Sequence, residues 1–530
     1  MTLDLGSSPR RRFLSLTGAA AGLAIAGTLP GITASTASGV EKEDLRGYPF
    51  TLGVAAGDPL PDAVVIWTRL ALDPLAPFGG MAARPVAVRW QVAEDERFRT
   101  IVRSGVAVAR REASHSVHVD VRGLRPWRHY YYRFLVGGQV SPVGRMRTAP
   151  APWQSPASLA FAFASCQAYW DGFYTAYRDL AAHDHDVVFH LGDYLYEIGV
   201  GTDAGVRRQP VPDEFARETV TLDEYRGRYA LYKSDPDLQA AHASAAWIVT
   251  MDDHEVENNW AGPISQDDAP RDEFLVRRAN AFRAWWEHMP VRAAQSPSGP
   301  DIRLYRRFQY GTLARFNLLD TRQYRDDQAA GDGTKAPNPG SLDPNRTITG
   351  KEQERWLLDG MAQRSARWEV LAHQTAIAQL DTKAGPEVLV PMDTWDGYVA
   401  SRKRILGGAA ERGVRNLVSI AGDLHRSVVS ELRPDYADDA SPVVGTEFVG
   451  TSISSAGDGE DLDEGGRTIL AENPHVKFGN FQRGYVRCEV DRARWVSDFR
   501  VVDRVTVPGG TVTSRARFAV EDRDPTVHTV

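Results

Sequence analysis

The chain has 530 residues, more than one ordinary core organises, so roughly two to four domains are expected. It is 42% hydrophobic and 25% charged with a mean hydropathy of −0.36, which excludes a membrane-embedded or intrinsically disordered chain and fits a water-soluble globular one. A net charge of −7 gives no general attraction to nucleic acid or anionic membranes, so no specific nucleic-acid-binding role is expected.

Residues 1–37 read as a removable export signal. Arg10-Arg11-Arg12-Phe13-Leu14 has the form of a twin-arginine signal; an ordinary secretory signal with an extra arginine is the alternative. The apolar run from Phe13 to Leu29 is short and rich in Gly and Ala, a poor membrane span, so no transmembrane anchor is expected in the mature protein. A cut after Ala37 removes three Arg and one Asp and takes the net charge from −7 to −9. The twin-arginine route carries proteins already folded, which hints at a metal or cofactor inserted before export. Whether the product is periplasmic, secreted or cell-wall associated stays open.

Residues 48–148 carry short β-branched and aromatic runs, VVIWTRL, VAVRWQVA, HSVHVDV and HYYYRFLV, separated by turns. Their number and spacing predict an N-terminal β-sandwich of immunoglobulin or fibronectin type. TAPAPWQSPAS, residues 148–158, reads as a linker. From Leu159 the runs LAFAFAS, DVVFHLGD, AAWIVTMDDHE, LARFNLLDTR, RWEVLAHQT and NLVSIAGDLH alternate with helix-like stretches. That alternation predicts an α/β layered domain over residues 158–505. Residues 331–345 form a Gly/Pro/Asn-rich loop, and residues 511–530 are left as a tail that either covers a site or lies on the surface.

Four apolar runs end in polar side chains: Ser165-Cys166, GDYLYE at 192–197, DDHE at 252–255 and GDLH at 422–425. Loops at strand ends converge above a rigid sheet, so these are the positions at which an α/β scaffold builds a site. Together they offer a thiol, carboxylates, a phenol and imidazoles, which is a metal-ligand inventory. Asp423 and His425, two apart, share a face if the strand continues, and Asp193 and Tyr196 lie one helical turn apart. A carboxylate can bridge two cations, phenolate and thiolate suit a ferric ion, and remaining carboxylates suit a hard cation. Taken singly, each has a plainer reading: a GD turn, a core tyrosine, a buried cysteine, a helix cap. The two cysteines, Cys166 and Cys488, leave a disulfide open, and a Cys166 nucleophile with His254 as base stays open beside it.

GDYLYE, DDHEVENNW, LLDTRQYRDDQ, DTWDGY and GDLH, in this order, resemble the alkaline phosphatase D (PhoD-like) family, and GDPLPDAVVIWTRL resembles that family's N-terminal domain. The resemblance runs from about residue 48 to near residue 505. It implies a metallophosphoesterase-type layered sandwich, two mixed sheets flanked by helices, preceded by the β-sandwich. It also implies Fe3+ held by Cys166, Asp193, Tyr196, Asp423 and His425, with Asp193 bridging to Ca2+. Asp253, rather than Asp252, becomes the second-metal ligand, and His254 a general acid or phosphate contact. Glu197 stands as a supporting residue, and Asn258, Asn259, Arg322, Trp395 and Asp396 lie in family motifs without assigned roles. The implied activity is hydrolysis of phosphate monoesters, and of diesters, by attack of a metal-bound water or hydroxide on a small-molecule ester. The alternatives are a phosphodiesterase or phospholipase D acting mainly on diesters, and an exported binding protein without catalysis.

Overall fold

The computed structural model of the chain describes residues 45–201 and 204–530, so the export-signal reading of residues 1–37 lies outside the described residues. The N-terminal part contributes β1 (Val54–Gly57), β2 (Ala63–Arg69), β3 (Val86–Ala93), β4 (Ile101–Ala109), β5 (Ser116–Arg122), β6 (His129–Val136), β7 (Gln139–Val140) and β8 (Gly144–Arg147). These strands divide between two sheets. β3, β4, β6, β7 and β8 form an antiparallel sheet of their own, whereas β2 pairs with β1 and β5. Val54, Val64 and Ile66 of one set and Val88, Tyr132 and Phe134 of the other are buried in one core.

The middle of the chain supplies β9 (Ser158–Ala164), α1 (Thr175–Ala181), β10 (Val187–His190), α2 (Leu222–Lys233), α3 (Pro236–Ser244), β11 (Ala246–Val249) and α4 (Arg271–His288). β9, β10 and β11 are almost wholly apolar and pair in parallel, the pattern of strands buried on both faces. β1 adds to β11 in parallel, with Ala56 opposite Ala246 and Gly57 opposite Trp247. The N-terminal segment is thereby hydrogen-bonded into the central sheet rather than tethered beside it. Trp67 on β2 adds a bond, its Nε1 donating to Glu287 O at 2.9 Å.

There follow β12 (Arg306–Tyr310), β13 (Ala314–Leu318), β14 (Thr334–Lys335), α5 (Lys351–Met361), β15 (Trp368–Ala372), β16 (Val390–Pro391), α6 (Val399–Glu411), β17 (Leu417–Ala421), β18 (Ser427–Leu432), β19 (Gly445–Val449), α7 (Glu464–Glu472) and β20 (Val476–Asn480). Seven of these strands make a mixed sheet in which β13, β15, β17 and β19 run parallel. Phe161 and Phe189 of the first large sheet pack edge-on or tilted against Phe316 of the second, at centroid distances of 5.3 and 4.6 Å. Leu357, Met361, Ile405 and Leu406 of α5 and α6 share a separate core with Leu371 and Leu417.

The last strands are β21 (Gly484–Asp491), β22 (Arg494–Val502), β23 (Val512–Glu521) and β24 (Val527–Thr529). They complete a ten-stranded sheet ordered β24-β23-β22-β21-β9-β10-β11-β1-β2-β5. Residues 511–530, left as a tail from sequence, are therefore mostly strand at one margin of this sheet, with β24 at its edge. Arginines interrupt TVTSRARFAV, but Phe518, Ala519 and Val520 at its far end are buried, and pairing with β22 satisfies the backbone. Among the described residues no helix is long and apolar enough to cross a membrane.

Candidate metal centre

The parallel strands β9, β10, β11 and β17 all end at one pole, and each delivers one of the four polar strand ends there. Ligand atoms of Cys166, Asp193 and His425 lie within 4.8 Å of one another, as do those of Asp193, Asp253 and His254, and of Asp252, Asp253 and Asp423. Asp193 and Asp253 each belong to two of these groups, so the three form a connected row. Asp423 is grouped with Asp252 and Asp253.

The backbone at these positions is unusual. Cys166, Asp193, Asp423 and His425 have φ of 59, 55, 66 and 52°, in the left-handed region that costs an L-residue about 1–2 kcal/mol. Such strain persists where the surroundings over-determine it, and here four strained residues share one site. The spacing arguments made from sequence therefore do not describe the local structure. GDYLYE is an irregular loop, not a helical turn, and β17 ends at Ala421 before GDLH begins. The side chains nevertheless converge: Tyr196 Oη donates to Asp193 Oδ2 at 2.9 Å and lies 3.0 Å from His425 Nε2.

Gly192 makes this approach possible. Its φ is +117°, and a Cβ there would stand 2.4 Å from Asp252 Cβ and 2.7 Å from Asp252 N. Gly192→Ala is expected to push the two ligand loops apart, lowering stability by about 2 kcal/mol. Thermal unfolding checks this: an unchanged melting temperature would show that the loops yield without cost.

Surrounding side chains hold the donors. Glu197 takes His254 Nδ1 at 2.8 Å and accepts from Asn258 N at 2.8 Å. The Tyr196 and His254 rings lie 4.1 Å apart. Ser455, in the loop after β19, donates to Tyr196 Oη at 2.9 Å and accepts from Ala168 N at 2.9 Å. Glu255 accepts from three backbone N–H groups: Tyr194 at 2.7, Asp252 at 2.8 and Asp193 at 3.1 Å. Arg322 donates from Nε to Asp252 at 2.6 Å and from Nη1 to Asp393 at 2.9 Å, with Nη2 facing Asp253 at 3.5 Å. Asn259 N donates to Asp253 Oδ2 at 2.7 Å.

Charge in this centre is one-sided. Burial, with Asp253 and Glu255 adding to it, pushes the Asp193 carboxyl well above the usual range despite His254. Burial does the same to Asp252 against the pull of Arg322, and raises Asp423 to about 6. For Asp253 burial is outweighed by Arg322 and His254, which hold it below the usual range. Burial and the Asp193 charge push the Cys166 thiol and the Tyr196 phenol well up. Burial lowers His425 to about 3, whereas Glu197, Asp253 and Asp193 overcome burial and raise His254.

Two buried carboxylate oxygens, Asp193 Oδ1 and Asp253 Oδ1, have no hydrogen-bond partner; Asp253 Oδ1 has the 3.5 Å ion-pair contact from Arg322, and Asp193 Oδ1 has none. An unpaired buried anion is costly unless a cation meets it. The donor set therefore fits metal ions: thiol, phenol, imidazole and carboxylate on one side, three carboxylates on the other.

Other residues singled out in the sequence lie elsewhere. Asp396 pairs with Arg402 at 2.5 Å and accepts from Leu380 N, and Trp395 is buried against His373, so both brace α6. His190, the last residue of β10, likewise takes no part in the centre: it is enclosed between Tyr194 and Trp247, with burial lowering it to about 3. Cys488 is buried and free, as is Cys166, so neither is in a disulfide. Glu255, Ser455 and Asp393 were not assigned from sequence. The strand-end rule could have found Ser455, since β19, buried along its length although it carries Thr446 and Glu447, is a fifth strand running parallel to β17 toward this pole.

Comparison with known proteins gives one consistent picture. The family model described as PhoD-like phosphatase matches residues 161–499, and the model for the N-terminal domain of PhoD-like phosphatases matches residues 34–150. Alkaline phosphatase D of Bacillus subtilis (strain 168) is 47% identical over 520 residues, covering 97% of this chain and 87% of that one. A solved structure of PhoD superimposes with a TM-score of 0.88 at 48% identity, covering 92% of this chain and 93% of the other.

Proposed function

Because this chain belongs to the PhoD-like phosphatase family and is a phosphoric ester hydrolase, we propose that it is an exported enzyme that cleaves phosphate monoesters, and also diesters, at the metal centre. The observation that carries this reading is Asp193: its carboxylate joins two donor groups and keeps one buried oxygen without a partner. Cys166, Asp193, Tyr196 and His425 would hold Fe3+. Asp252, Asp253 and Asp423, an all-oxygen group, would hold Ca2+ together with Asp193, which shares a second group with Asp253; Asp423 is here assigned to the calcium side rather than to the iron set that the resemblance implies, and Asp252 joins Asp253 there. Such cations neutralise phosphate oxygens and acidify water.

The chain's own residues orient and protonate. Glu197 occupies Nδ1 of His254, so Nε2 is the ring nitrogen left to give a proton to the leaving-group oxygen. His254→Ala is expected to slow hydrolysis of an alkyl phosphate about 100-fold and that of an aryl phosphate with a good leaving group far less. Equal losses on both substrates would leave His254 only a phosphate contact.

Supporting features lie outside the centre. We take residues 48–148 as an N-terminal β-sandwich, in line with the separate family model that covers it, and residues 158–505 as a metallophosphoesterase-type layered catalytic domain. Residues 1–37 are taken as a signal for the twin-arginine export machinery; a mature chain beginning at Ser38 is its mark. The deciding experiment compares kcat/KM for a monoester and a matched diester, with and without a calcium chelator, beside iron analysis. Calcium-dependent turnover favouring the monoester supports this reading. Diester preference moves it to a phosphodiesterase or phospholipase D, and no turnover in iron-loaded protein overturns it.

A further inference from the structure

The α5–α6 face of the molecule concentrates positive charge in a chain that is negative overall. A groove of about 720 Å³ lies between the two helices, lined by Lys351, Arg355, Lys403, Arg404 and Arg412 with two acids, Glu354 and Glu411. A cleft of about 660 Å³ continues past the helix ends, lined by Arg364, Arg367, Arg415, Arg492 and Arg523 with Glu369 and Asp522. The two meet at consecutive residues, Arg412 in the groove and Gly413 in the cleft. Arg364 Nη1 lies 3.6 Å from where a Cβ on Gly413 would stand.

The acids cancel only part of this charge, and Lys403 is paired as well, with Asp435 at 2.7 Å. Glu354 is taken by Arg404 at 2.7 Å. Glu369 is bound from behind by Arg315 at 2.7 Å. Asp522 pairs with Arg367 and accepts from Asn416. Arg355, Arg364 and Arg415 are exposed, and their guanidinium groups make no hydrogen bond or ion pair among the described residues.

The fold accounts for some of these cations and not for others. Lys351 is the first residue of α5, where the helix dipole favours acids. Lys351 and Arg355 are four apart on one helix, a spacing at which like charges destabilise. Arg412 donates to Gly408 O at 3.0 Å, and Arg404 to Pro344 O at 2.8 Å and Arg346 O at 2.9 Å, so these two serve the fold.

We propose that this track is a second binding site, separate from the metal centre, for a flexible phosphodiester chain. Its length argues for a chain rather than a single ion: α6 has 13 residues, and at 1.5 Å per residue spans about 20 Å. The cleft lies at the starts of the strands whose ends build the metal centre, since Arg367 and Asn416 immediately precede β15 and β17. Arginine suits phosphate because its planar fork binds two oxygens at once. No aromatic residue lines groove or cleft, so there is no platform on which nucleobases stack.

The test uses the full metal-loaded protein and a fluorescein-labelled abasic oligonucleotide of about ten phosphates, a sugar-phosphate chain without bases. Anisotropy is read with orthophosphate in excess to fill the metal centre, at constant ionic strength. The abasic chain is expected to bind, and an oligothymidylate of equal length to bind no more than about twofold tighter. The exposed triple variant Arg355→Ser/Arg364→Ser/Arg415→Ser should bind at least tenfold more weakly. Its slope of log affinity against log salt should be shallower by about 2. Hydrolysis of a small aryl phosphate and the melting temperature should both be unchanged. Unaltered affinity in the variant, or loss of binding in the wild type when orthophosphate is added, overturns the proposal. Binding of oligothymidylate tenfold above the abasic chain makes the face a nucleic-acid site and also overturns it.

Discussion

Asp193→Asn is expected to remain folded, lose most of its bound iron and calcium, and hydrolyse phosphate esters at least about 1,000-fold more slowly, on the order of 4 kcal/mol of transition-state stabilisation. The substitution changes almost nothing in shape. Asn tolerates the left-handed backbone at this position, where φ is 55°. The amide oxygen can keep the bond from Tyr196 Oη, and the backbone N–H stays on Glu255. What changes is the oxygen without a protein partner: an N–H donor replaces an acceptor where a cation should sit. The charge balance sharpens the expectation. Burial and the neighbouring acids already push the Asp193 carboxyl well up, so without metal the chain has difficulty keeping it ionised. Neutral Asn relieves that cost, and the metal-free variant should melt no lower than the metal-free wild type. Metal analysis, kcat/KM and melting in chelator check the three parts. Retained iron and calcium with turnover within tenfold of wild type would remove Asp193 from the bridge.

The fold was legible wherever apolar runs were long enough to be buried strands. LAFAFAS, DVVFHLGD, AAWIVT, LARFNLL, RWEVLA and NLVSIA all became strands, and the polar residues after the first three and the last meet at one pole. Legibility ended where the chain stops being periodic. Asp193 and Tyr196 were paired by a helical spacing that does not exist there. They meet because Gly192 and a left-handed Asp193 turn the loop back. Asp423 and His425 were expected to share a face if the strand continued, but β17 stops at Ala421 and both residues have positive φ, with the Asp423 carboxylate grouped with Asp252 and Asp253. Residues 512–521 looked like a tail because arginine alternates through them. That is how an antiparallel strand near the margin of a sheet looks when one face is solvated. The division of the N-terminal strands between two sheets was not legible either, because the parallel pairing of β1 with β11 joins residues some 190 apart in the chain.

Glu255→Gln should cost about 3 kcal/mol of stability and lower kcat/KM by about 100-fold, although Glu255 belongs to none of the three donor groups. The argument is a count of acceptors. Oε1 receives the N–H of Tyr194, while Oε2 receives those of Asp193 and Asp252. The side chain is fully buried, so no water replaces a lost bond. Gln keeps one oxygen. Whichever way the amide is turned, its NH2 group faces at least one N–H that it cannot accept, leaving a buried donor opposite a donor. That donor belongs to Tyr194 in one orientation and to Asp193 and Asp252 in the other. In either case a ligand-bearing loop is released, since Tyr194 adjoins Asp193. Glu255 thus ties the loop after β10 to the loop after β11, and with them the two groups that share Asp193 and Asp253. A residue holding only the fold would lower the melting temperature and leave kcat/KM of the folded fraction intact. A positioning residue should shift kcat/KM and metal content together, and Glu255→Asp, which restores both acceptor oxygens on a shorter arm, should recover part of each. Full activity in folded Glu255→Gln would reduce the residue to a structural tie.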